Sequence, residues 1–199
     1  MSRTTFRLLV AIALLLAPSV ALAHPGHGED SILLGGFIHP FGGIDHLLAM
    51  MAGGLFAAHL GGRALWAVPA TFVAVMALGA VFGATGVSLP FTETAIALSV
   101  LVFGFMIFSG MTPPVHTAMA LVGIFAAFHG HAHGTEMPVG VSGAVYSIGF
   151  MVATALLHGF GITLGLAIGR FEEAPRRLAM QTCGVASALI GAGLTISLV

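Results

Sequence analysis

The 199-residue chain contains no lysine, and charged residues of both signs make up only 7% of it. A soluble globular domain carries roughly 25% charged residues, so this chain cannot clothe a water-facing surface. Hydrophobic residues reach 58% and mean hydropathy +1.07, the composition of an integral membrane protein with no soluble domain to host a separate activity. A formal net charge of −1 with no basic run excludes a nucleic-acid partner. Cys183 is the only cysteine, which excludes an internal disulfide and argues against a thiolate copper site. Its apolar setting describes a packed small side chain. No P-loop is present, so the chain carries no ATP-driven motor of its own.

What is present begins with a secretory signal over residues 1–23. Arg3 and Arg7 supply the positive start, "LLVAIALLLA" the apolar core, and Ala21-Leu22-Ala23 an A-x-A cleavage site. The alternative is an uncleaved first helix. Residues 24–199 then form one six-helix membrane domain. A spanning helix needs about 20 mostly apolar residues, and six such segments follow: 41–60, 64–84, 92–110, 115–132, 141–169 and 178–198. The apolar stretch 31–40 is separated from the first span by Pro40 and Gly42-Gly43, which should kink or break the helix. The fold class is therefore an all-α integral membrane protein, with six transmembrane helices after a cleavable signal peptide.

Arg63, Arg170, Arg176 and Arg177 fall in loops that share a side if there are six spans. Retention of positive charge inside places those loops in the cytoplasm and the mature N-terminus outside, in a bacterial inner membrane. Glu29, Asp30, Glu93 and Glu136 fall on the opposite side. The 28 glycines, many paired or at small-xxx-small spacing, read as helix-packing positions.

Against this background "HPFGGIDHLLAMM" (residues 39–51) and "FHGHAHGTE" (residues 128–136) stand out. Polar groups are expensive in a bilayer and functional by default. His39 and His46 are seven apart, near one helical face unless the Pro40–Gly43 break moves His39. Asp45 can serve as a ligand or hold the His46 imidazole from behind. His129, His133 and Glu136, at i, i+4 and i+7, share a face from which His131 points away. The first span runs inward and the fourth outward, so both clusters should meet at the outer end. Imidazole nitrogens with carboxylate oxygens suit a divalent first-row cation such as nickel, cobalt or zinc.

His158, near the middle of the fifth span, is a candidate relay below that cluster, set against a plain helix-packing role. His59 and His116 fall near the inner ends and read as solvated. Met50, one turn after His46, reads as filler with an alternative place beside the path. His24 and His27 lie in the mature N-terminal tail, as weak metal capture or as linker.

An enzyme reading is weaker. "GVSG" (residues 140–143) has the look of an intramembrane serine protease motif, but Ser142 and His158 fall on one helix about 24 Å apart and cannot share a hydrogen bond. H-E-x-x-H, the zinc protease signature, is absent. A non-transporting metal sensor or accessory protein is the main rival to a permease. It would need the outer site without a path through the membrane.

At these residues the chain resembles the HupE/UreJ family of membrane proteins, which accompany nickel hydrogenases and ureases. The pattern His-x5-Asp-His matches His39, Asp45 and His46, and Phe-His-Gly-x-Ala-His-Gly-x-Glu matches Phe128 through Glu136 without departure. The resemblance covers essentially the whole mature chain. It implies a nickel permease serving hydrogenase or urease maturation, with those six polar residues functional and His131 at a variable position. The metal is left open, since relatives are associated with cobalt or other metals.

Overall fold

The computed structural model describes residues 29–198; the signal segment, His24 and His27 lie outside the described residues. All regular structure there is helical: α1 (Glu29–Ile38), a 3-10 turn (His39–Phe41), α2 (Ile44–Leu60), α3 (Ala64–Ala84), α4 (Thr92–Ser109), α5 (Val115–Thr135), α6 (Gly143–Ile168) and α7 (Glu173–Ser197). Helices α3 to α7 are each long and apolar enough to cross a membrane. Segments 31–41 and 44–60 meet that criterion together, as a pair bent by 79°.

The bend has a local cause. Pro40 has no N–H to continue the α1 ladder, so the chain tightens into the 3-10 turn, closed by Gly42 N–H donating to the His39 carbonyl at 3.0 Å. Gly43 adopts an extended conformation (φ −111°, ψ 123°) as the N-cap of α2, and its carbonyl accepts from Leu47 N–H at 3.0 Å. The helix begun at Glu29 thus stops and restarts in a new direction.

Helix α2 is the centre of the bundle, touching α3, α4, α5, α6 and α7; α1 packs across α6. The most extensive pairings, α3 with α5, α4 with α7 and α2 with α6, are made by glycine. A Cβ at Gly130 would overlap the Met76 carbonyl, one at Gly134 the Ala80 carbonyl, and one at Gly54 the His158 carbonyl. With no hydrophobic driving force between helices in lipid, such backbone approach is what packs them. Gly130 and Gly134 flank His133, so the same contacts fix where the α5 histidines point.

Most observed ends lie close to the expected ones. The largest difference is α7, which begins at Glu173 rather than 178 because "EAPRR" is already helical. Helix α5 also runs to Thr135, which keeps the whole of "FHGHAHG" in helical register. Cys183 is half-buried against the core.

Candidate metal centre

The structure brings the two polar clusters together at the α2 N-terminus and the α5 C-terminus. The break at Pro40–Gly43 means that His39 and His46 do not share a continuous helical face. The bend instead turns His39 back over α5, where its Nε2 meets Glu136 Oε2 at 2.9 Å. Its ring lies 4.9 Å from that of His133. His46 reaches the same ring, with centroids 4.9 Å apart, and stands 5.2 Å from His129. Glu136, His39, His133, His46 and His129 therefore form a continuous chain from the exposed end of the bundle to its interior.

Glu136 is exposed and His39 half-buried, while beyond them His133 and His129 have no exposure and His46, between those two, is 7% exposed. Asp45 sits beside it: its Oδ1 accepts from the His46 backbone N–H at 2.7 Å and pairs with His46 Nδ1 at 3.0 Å. That pairing leaves His46 Nε2 as the free ring nitrogen. His129 Nδ1 is satisfied by the Phe125 carbonyl at 2.9 Å. Among the described residues, His46 Nε2, His129 Nε2 and both nitrogens of His133 are buried with no hydrogen-bond partner. Buried polar atoms normally have partners; several unpaired imidazole nitrogens in contact are suited to a cation.

His39, His133 and Glu136 each offer a ligand atom, all within 4.8 Å of one another. Imidazole with carboxylate fits a borderline divalent ion. Outside the spans, Glu136 has its carboxyl held below the ordinary range, chiefly by the hydrogen bond from His39, with burial opposing. At neutral pH it is thus an anion at the mouth of the chain.

Three groups near the cluster were not singled out by sequence. Glu93, in the first turn of α4, lies within electrostatic reach of His46, Asp45 and Glu136; its place among loop carboxylates was the only sequence signal. Phe150 stacks on His133 at 4.8 Å and 21°, and Phe72 packs edge-on to His129 at 5.2 Å. Both look like core residues in the sequence.

The remaining histidines divide. His131 points away, its Nε2 on the Val87 carbonyl at 2.6 Å, where it ties α5 to the loop before α4. His158 is fully buried on α6. His116 is exposed as expected. His59 departs in part from the expectation of a solvated side chain: it is half-buried, and its Nε2 is shielded without a partner, where the α2 end faces the start of α7. It lines a cavity of about 520 Å³ at the other end of the bundle, with Ser109, Glu173, Arg176, Arg177 and Gln181. Ser142 caps α6, accepting from Val145 N–H at 3.5 Å, while His158 binds the Thr154 carbonyl, so no serine–histidine dyad forms.

The chain matches the HupE / UreJ protein family over residues 12–194. It is 45% identical over 190 residues to "Protein HupE" of Rhizobium leguminosarum bv. viciae, covering 96% of this chain and 97% of that protein. No solved structure matches it.

Proposed function

Because the chain belongs to the HupE/UreJ family, we propose that it admits a divalent transition-metal cation, nickel first, across the bacterial inner membrane for the maturation of a hydrogenase or urease. The observation that carries this reading is the run of contacting imidazoles with unpartnered, buried nitrogens, leading inward from Glu136. His39, His133 and Glu136 form the entry site. His46, oriented by Asp45, takes the ion from His133 and passes it to His129. Glu93 adds negative charge near the mouth.

With the bent α1–α2 pair counted as one crossing, the chain has six spans. Arg63, Arg170, Arg176 and Arg177 then face the cytoplasm and the cluster faces outward. A divalent ion moving inward gains about 4.6 kcal/mol per 100 mV, twice the unit-charge value, so uptake needs no ATPase. Cobalt and other borderline divalent ions share the ligand preference. The test is radioactive nickel uptake by cells expressing the chain, with cobalt, zinc and copper as competitors. Saturable uptake that cobalt or nickel suppresses supports a permease; metal binding without uptake would leave the sensor or accessory role in its place.

A further inference from the structure

Below the cluster, the chain of imidazoles is interrupted. The Phe72 ring of α3 touches both His129 and His158, with centroids 5.2 Å from the first and 4.7 Å from the second. All three side chains have no solvent exposure. The two imidazoles are set alike. Each donates its Nδ1–H to the carbonyl four residues earlier, His129 to Phe125 and His158 to Thr154, both at 2.9 Å. Each Nε2 is then a lone pair with no partner among the described residues. Metal-ligating histidines are commonly held this way, with the second nitrogen fixed on a backbone carbonyl.

His158 Nε2 is aimed at α2, where it meets Gly53. A Cβ at that position would lie 3.0 Å from this nitrogen. Gly53 is seven residues after His46, so the two share a face of α2, about 10 Å apart along its axis. Any side chain at 53 would cover the His158 lone pair; glycine leaves it bare.

We infer that the Phe72 phenyl is the closed barrier of the ion pathway, dividing the outer cluster from an inner transit station at His158 Nε2 that Gly53 keeps accessible. The inference rests on the transport reading above. An apolar ring at a constriction excludes water, and with it hydrated ions and protons. Its face attracts a cation that has shed its water, so a divalent ion delivered to His129 can cross when the ring turns. A single imidazole beyond the barrier holds the ion less firmly than the outer cluster does, as a station that must release its ion requires.

The test uses the full chain in proteoliposomes with nickel chloride alone, comparing Gly53→Ala, Phe72→Leu and the control Gly159→Ala, whose added methyl meets nothing within 4 Å. Nickel affinity of the outer cluster is titrated on the same preparations and reports the fold. Gly53→Ala should lower initial uptake about tenfold or more, the scale of disturbing a metal-ligating histidine's surroundings, with outer-cluster affinity unchanged. Phe72→Leu keeps apolar bulk but loses the ring, and should admit protons in the absence of metal, seen with an enclosed pH dye. Gly159→Ala should match the wild type. Normal uptake by Gly53→Ala, or joint loss of its uptake and binding, would overturn the inner station. A Phe72→Leu protein as proton-tight as the wild type would overturn the barrier. Absence of uptake by the wild type itself would instead sink the transport reading.

Discussion

His46 and His133, 87 positions apart in the chain, face each other with ring centroids 4.9 Å apart at the buried junction of α2 and α5. If both hold one cation, alanine at either position should reduce nickel affinity at least about tenfold. The double variant should fall little further, because residues acting on one ion couple rather than add. Calorimetric titration of the four proteins measures the coupling. Independent losses that sum would assign the two rings to separate sites.

The entry carboxylate gives the pH dependence a sign. Glu136 has its pKa below the ordinary 4.5, through His39. Its contribution is therefore present above that value and lost only as pH falls through the lower folded one. Between about pH 7 and pH 5 the carboxylate stays charged, so its share of nickel binding should hold across that range. Glu136→Gln carries no charge at any pH and should weaken binding by one constant factor from about pH 7 to pH 5. A wild-type advantage that shrinks over that range would remove the carboxylate from the entry site.

Much of this site was legible in the sequence because both signals are local. The His129–His133 spacing needs only a helix, and the break before α2 follows from Pro40 and Gly42-Gly43. The direction of the bend is not local: it comes from α1 packing on α6, and it decides that His39 meets Glu136 rather than continuing the face of His46. The shielding of the His59 Nε2 and the contact of Phe72 with two imidazoles likewise depend on which helices pair. Glycine contacts between distant segments set those pairings, and one sequence does not say which glycine meets which backbone.

Those contacts make a stability prediction. Gly130→Ala places a methyl into the Met76 carbonyl, and backbone cannot yield as a side chain can. It should destabilise the bundle by about 1–3 kcal/mol, the usual cost of overpacking. Thermal unfolding in detergent reads this against Gly35→Ala, where the added Cβ meets nothing within 4 Å. Equal midpoints would argue against close α3–α5 packing.

His131 separates metal chemistry from structure within the same motif. His131→Ala removes the bond to the Val87 carbonyl, a loss on the order of 1 kcal/mol. It should lower thermal stability slightly while nickel affinity stays near that of the wild type. A loss of affinity as deep as that of His133→Ala would bring His131 into the site.

Orientation is open to cysteine labelling on a Cys183→Ser background. Cysteines at 63 and 176 should react with impermeant reagent only from the cytoplasm, and one at 136 only from outside. Reaction of position 136 from the cytoplasm would turn the entry site inward and overturn both the orientation and the capture of metal from outside.

If buried imidazoles carry the ion, His46→Gln should stop it. Glutamine retains hydrogen bonding and bulk but is a poor ligand for nickel. Radioactive nickel uptake should fall to background in a well-expressed, membrane-inserted His46→Gln protein. Uptake at the wild-type rate would mean that the imidazoles do not carry the ion.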